Sequence, residues 1–177
     1  YHVIAPDLPT NGDTTFPKSF DMSIPNITSE LRNFAQSIHI DKDLHIAGHS
    51  LGGSVATVYA SQYPFDTQSL FLLSSAGIYK QANTRYAKDP KTLKNLLVYK
   101  QGDFEQVIHK LMTKPPKVPS ELKEAQEQIL ISRSAKTNQA IDQIVKLNRI
   151  YTPDTFAQLT RHVEPHTLII LGKQDQI

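Results

Sequence analysis

The chain has 177 residues, 39% apolar and 20% charged, the balance of a globular protein large enough to bury a core and not of a disordered one. Lys and Arg (19) exceed Asp and Glu (17) by only two, and no basic cluster has the density of a nucleic-acid surface, so nucleic acid is excluded as a partner. No apolar run approaches the roughly 18 residues of a membrane-spanning helix, and the lack of cysteine excludes disulfides and thiolate metal sites.

Residues 1–5 (Tyr, His, Val, Ile, Ala) form a β-rich apolar run that ends at Pro6 and predicts a buried strand. Because the chain opens inside that strand and not at a Met, it is expected to be a segment of a longer protein. Residues 10–14 are turn chemistry, and no period follows until Ser23, a predicted N-cap with Pro25 in the first turn behind it. Ile24, Ile27, Leu31, Phe34, Ala35 and Ile38 fall on one helical face, so this helix is expected to pack on a sheet. Asp41, Lys42 and Asp43 lead into an apolar strand from Leu44. A helix is predicted over 54–63, ended by Pro64, and another buried strand over 68–73, stopping at Ser74, Ser75, Ala76 and Gly77. Strands alternating with helices in this way predict an α/β fold with a parallel sheet covered on both faces.

That rhythm breaks over 78–163, where only helical patterns appear. Phe104, Val107, Ile108, Leu111 and Met112 keep helical spacing, a Pro-rich joint follows at 114–119, one helix starts at Ser120 and a further one holds Ile141, Ile144, Val145 and Leu147. The expected organisation is a core over 1–77, an inserted helical cap over 78–163, and a core strand resuming over 164–177. That strand, 167–171, ends at Gly172, Lys173, Gln174 and Asp175.

The chemistry centres on Gly48-His49-Ser50-Leu51-Gly52, a G-x-S-x-G sequence between an apolar strand and a helix. A strand that reverses into a helix within a few residues brings backbones too close for Cβ atoms and strains the serine at the apex. Such a turn lifts the Ser50 hydroxyl clear of the sheet and leaves the Leu51 N–H at a helix start, aimed at a developing oxyanion. Serine becomes a nucleophile only when a base takes its proton, and the base needs an orienting carboxylate. Asp175 is the best acid, since it follows an apolar strand through a glycine turn onto the same sheet edge as Ser50.

The base is not found. The usual order is Ser, acid, His, and only Gln176 and Ile177 follow Asp175. His2, His39, His45, His49, His109, His162 and His166 read as structural or solvated, with His45 expected to face a covering helix. The base is therefore expected beyond residue 177, and the second oxyanion donor before Tyr1. No Gly-rich phosphate loop is present, and no cofactor and no metal is expected.

The chain resembles a segment of an α/β-hydrolase, and within that superfamily the bacterial lipase and monoacylglycerol-lipase group. The resemblance is carried by Val3-Ile4-Ala5-Pro6-Asp7-Leu8-Pro9, by Ile46-Ala47-Gly48-His49-Ser50-Leu51-Gly52-Gly53 and by Leu73-Ser74-Ser75-Ala76-Gly77. Met112-Thr113-Lys114-Pro115-Pro116 and Leu168-Ile169-Ile170-Leu171-Gly172-Lys173-Gln174-Asp175 complete it. Thr10-Asn11-Gly12 stands where the family usually shows Gly-His-Gly, Ser74-Ser75 where relatives often have Asp-Pro, and Leu171 where Trp is frequent. The resemblance implies Ser50 as nucleophile, Asp175 as triad acid, the Leu51 N–H as oxyanion donor, and no metal or organic cofactor. It implies hydrolysis of carboxylic esters of lipid-like or acylglycerol type through an acyl-enzyme, and it leaves association with a membrane surface open. The alternatives are a carbon–carbon bond hydrolase using the same triad, or a hydrolase-fold protein that binds without turnover.

Overall fold

The computed structural model describes residues 2–76, 89–147 and 153–175. They belong to two compact units, one of Tyr1–Phe20, Thr84–Lys146 and Gln176–Ile177, the other of Asp21–Asn83 and Leu147–Asp175.

The second unit holds a three-stranded parallel sheet of β1 (Leu44–His49), β2 (Thr67–Leu73) and β3 (His166–Ile170), in that order. Helix α1 (Ile24–Ser37) begins as its sequence predicts. Ser23 is the N-cap, its hydroxyl accepts from the Asn26 N–H at 3.4 Å, and Pro25 occupies the first turn, where its missing N–H costs nothing. Of its apolar face Ile27 and Ala35 are buried, while Phe34 and Ile38 stay exposed.

Helix α2 (Leu51–Gln62) is the centre of this unit. Every residue from Gly53 through Ala60 is buried, because α2 packs on β1 and β2 on one side and on α1 and α5 (Pro153–Thr160) on others. Ala56, Ala60, Leu70 and Leu72 make the buried cluster between helix and sheet, with Ile46 and Val163 against it. Small residues on α2 let the helix lie close to the strands. Arg32 of α1 pins the far end, its Nε 2.9 Å from Asp66 Oδ2 and its guanidinium 4.2 Å from the Tyr63 ring centroid. The hydrogen bond to Asp66 raises the Arg32 pKa further above its ordinary value.

The other face of the sheet differs from expectation. Among the described residues no helix packs on the side formed by His45, Ala47, His49, Ser69, Phe71 and Leu73. His45 points to this side, is exposed, and pairs its Nδ1 with Ser69 Oγ at 2.7 Å. It does not face a covering helix, since alternation puts Ile46, not His45, toward α2.

The first unit is helical. A short 3₁₀ helix (Pro90–Leu96), α3 (Asp103–Leu111) and α4 (Ser120–Leu147) follow one another, with the Pro-rich joint as irregular chain between the last two. The sequence pattern predicts two helices from Ser120 onward. The structure has one of 28 residues, because no Gly or Pro interrupts the sequence from Ser120 to Leu147. Among the described residues no strand forms near the N-terminus either: residues 2–7 are irregular, and Val3 is 82% exposed. Apolar, β-prone residues make a strand only when a neighbouring strand takes their N–H and C=O groups. None does so among the described residues. Residues 77–88, 148–152 and 176–177, with the expected loop end at Gly77 and the start of the cap at Ile78, lie outside the described residues.

Among the described residues no helix is long and apolar enough to cross a membrane.

Candidate active site

Ser50 sits between the last residue of β1 and the first of α2, with φ 51° and ψ −119°. A positive φ is unfavourable for a residue with a Cβ, and strain of this kind is worth about 1–3 kcal/mol. It persists because the backbone is held from several directions. The Ser50 N–H donates to the Leu73 carbonyl at 3.2 Å, and the Ser50 carbonyl accepts from Gly53 at 3.0 Å, Ser54 at 3.3 Å and Ala76 at 3.2 Å. The Ser50 hydroxyl makes no capping bond to α2, although serine is a favoured cap residue.

The glycines around it do different work. A Cβ on Gly48 would lie 2.2 Å from the Gly52 carbonyl oxygen, a backbone clash that only glycine avoids. Gly52 itself has nothing within 4 Å of where its Cβ would be. The second tight position is Gly53, where a Cβ would stand 2.3 Å from Ser75 Oγ and 2.5 Å from Ser75 Cβ. Sequence reasoning passes over Ser75 and Ser54 as parts of this turn. The Gly52-Gly53 doublet is the signal for a second close approach, but which loop returns to it is set by the β1–β2 pairing.

Leu51 is the first residue of α2, so its N–H has no acceptor inside the helix and lies in the positive end of the helix dipole. His49 is exposed, on the sheet face opposite α2.

Asp175 lies on the same edge of the sheet. His49 pairs with Leu73, Leu73 pairs with Ile170, and the Ser74 N–H donates to the Ile170 carbonyl at 2.8 Å. From Ile170 the chain turns through Gly172, whose carbonyl accepts from the Asp175 N–H at 3.1 Å. Ser50 and Asp175 therefore follow the C-terminal ends of β1 and β3, with the end of β2 between them. Apart from His49, the histidines of this unit lie elsewhere. His45 and His166 flank Ser69 near the opposite, N-terminal edge, and His162 precedes β3. Among the described residues no three His, Cys, Asp or Glu side chains gather as a metal cluster.

Comparison with known proteins bears on the fold and the family. Lipase 1 of Psychrobacter immobilis is 31% identical over all of this chain and 55% of its own length. Monoacylglycerol lipase abhd6-A of Xenopus laevis is 28% identical over 99% of this chain and 54% of its own. The chain thus spans about half the length of the curated relatives it matches. Among solved structures, lip1 of Acinetobacter baumannii AYE, provisionally assigned as a lipase, superposes with a TM-score of 0.94. It is 50% identical, covering all of this chain and 59% of that one. The alpha/beta hydrolase fold family matches residues 1–177, and the chain belongs to that family.

Proposed function

We propose that the protein containing this chain hydrolyses carboxylic esters through an acyl-enzyme on Ser50, and that its substrates are lipid-like esters of the acylglycerol class. The observation that carries the reading is the strained Ser50 at the C-terminal end of β1, with a helix N-terminus directly behind it. The kinship with proteins named lipase and monoacylglycerol lipase supports the substrate class.

In this reading a base removes the Ser50 proton as Oγ attacks the ester carbonyl. Negative charge then develops on the carbonyl oxygen, and the Leu51 N–H stabilises it, which is worth about 3–4 kcal/mol for a well-placed donor. Asp175 orients the base and compensates its positive charge in the transition state. Neighbouring strands lie about 4.8 Å apart, so the ends of β1 and β3 are separated by roughly 10 Å, which leaves room for one bridging side chain. The base is sought outside residues 1–177, because the described histidines of the Ser50 unit, other than exposed His49, are not on the Ser50 edge. His49 adjoins its serine too closely, since adjacent side chains at a tight turn diverge. We further propose that residues 78–163 act as the substrate cap.

The test is steady-state hydrolysis of acylglycerols of graded chain length by the full-length protein and its Ser50→Ala variant. The variant is expected to lose several orders of magnitude in kcat, on the order of 10⁶ if the triad acts as a unit. A loss below about tenfold refutes the assignment.

A further inference from the structure

The strained conformation of Ser50 has to be held by something, and its own carbonyl takes three backbone bonds. Two of the three come from the first turn of α2, from Gly53 at 3.0 Å and Ser54 at 3.3 Å. The third, from the Ala76 N–H at 3.2 Å, comes from the loop after β2. Only this one ties the carbonyl to an element outside the helix. Its geometry depends on where Ala76 is held.

Ser54 holds it. Ser54 Oγ donates to the Ala76 carbonyl at 2.7 Å, a short bond from a side chain that is 3% exposed. A serine in the first turn of a helix ordinarily caps or back-bonds within its own helix. This one reaches across 22 positions instead. Because the N–H and C=O belong to the same residue, fixing the Ala76 carbonyl restricts the Ala76 N–H as well. A closed circuit results, running from Ser50 along one helical turn to Ser54, through its hydroxyl to Ala76, and back to the Ser50 carbonyl. The approach of the loop is permitted by Gly53, against which Ser75 rests.

We infer that Ser54 is a positioning residue for Ser50, acting through Ala76 to keep the nucleophile in the conformation that exposes its hydroxyl. The inference rests on the reading of Ser50 as nucleophile. Ser54 does not touch the reacting atoms. Without its hydroxyl the Ala76 carbonyl, on an exposed residue, keeps only the long bond from Ser75 Oγ at 3.3 Å and turns to solvent, the Ala76 N–H leaves Ser50, and the serine relaxes toward an ordinary backbone conformation. Displacement of a reacting group by about 1 Å is enough to cost on the order of 10² in rate.

The experiment uses the full-length protein and compares wild type, Ser54→Ala, Ser54→Cys and Thr57→Val. Each is measured for kcat and KM on one ester, for the rate of fluorophosphonate labelling at Ser50, and for melting temperature. Thr57 is the control, since its Oγ1 also donates to a backbone carbonyl from the same buried helix, at 2.8 Å to Gly53, but has no link to Ala76. Ser54→Ala is expected to lower kcat and the labelling rate together, roughly ten- to hundredfold, with KM within twofold. Thr57→Val is expected to keep kcat while losing thermal stability. Ser54→Cys, nearly the same size but a weak donor, should fall between wild type and Ser54→Ala. It carries the test if Ser54→Ala does not fold. Wild type labelled at Ser50 with both Ser54 variants reacting at its rate overturns the positioning role and leaves the proposed function standing. Wild type that is folded but not labelled at Ser50 overturns both.

Discussion

The backbone N–H of Ser50 donates to the carbonyl of Leu73, so the hydrogen-bond ladder between β1 and β2 continues past His49 into the strained turn. The position of Ser50 is thereby inherited from the sheet, and the path of the chain after Ser50 is set by how closely α2 and the loop after β2 can approach. Those two constraints lead to separate predictions.

Gly53→Ala should be much more damaging than Gly52→Ala, although both lie in the same Gly-Gly pair. An added methyl at 53 meets Ser75 Oγ at 2.3 Å and Ser75 Cα at 3.0 Å, whereas one at 52 meets nothing within 4 Å. Overpacking of this kind costs about 1–3 kcal/mol. Alanine for glycine inside a helix otherwise gains about 0.5–1 kcal/mol. Urea denaturation of the full-length variants should show a lowered midpoint for Gly53→Ala and an unchanged or raised one for Gly52→Ala. Equal midpoints would contradict the close packing of Ser75 on α2.

Tyr59 gives a prediction about alkaline pH. Its ring is buried on α2 against Tyr63, centroids 5.1 Å apart, and its hydroxyl has no hydrogen-bond partner among the described residues. Burial, reinforced by the charge of Asp66, pushes its pKa up to about 12 from an ordinary value of 10.0. Between those two values the unfolded chain has lost a proton that the folded chain keeps, so stability is full below pH 10 and declines as pH rises toward 12. Tyr59→Phe loses no hydrogen bond and removes an unsatisfied buried hydroxyl. It should gain about 1 kcal/mol at neutral pH and flatten the decline between pH 10 and 12. Thermal melts across that range check it. A variant less stable than wild type at pH 7 would mean that the hydroxyl has a partner.

Glu127 caps a helix other than its own. The N-cap of α3 is Gly102, at φ 92° and without a side chain, and Glu127 Oε1 from α4 accepts instead from Gly102 N at 2.7 Å and Phe104 N at 3.0 Å. Glu127→Ala should cost about 1–3 kcal/mol by leaving two N–H groups unpaired, and Glu127→Gln clearly less, since its amide oxygen can still accept. Hydrogen exchange at Phe104 should accelerate in the alanine variant. Protection unchanged from wild type would rule out the cap.

These sites also mark what is legible in the sequence. The elbow strand, α1 with its Ser23 cap, β2 and β3 are readable because each announces itself through local alternation, helical spacing or turn chemistry. The apolar run at 2–5 carries the same β signal as β2, yet strand formation depends on a partner that no local pattern can supply. Alternation shows that His45 and Ile46 face opposite ways, but which side α2 covers is decided by the crossover from β1 to β2. Ser50, Leu51 and Asp175 can be nominated from motif and chain order. Gly53, Ser54, Ser75 and Ala76 cannot, because their contacts join segments more than 20 positions apart. The Glu127 cap is hidden for the same reason, and an isolated Glu on a polar helix reads as solvated.

Whether Ser50 is an activated nucleophile is tested most directly by fluorophosphonate labelling of the folded full-length protein, located by peptide mass spectrometry, with Ser50→Ala as control. A single stoichiometric adduct is expected on the peptide containing Ser50, and none in the variant. No adduct on the folded wild-type protein, or an adduct that survives Ser50→Ala, would contradict the assignment.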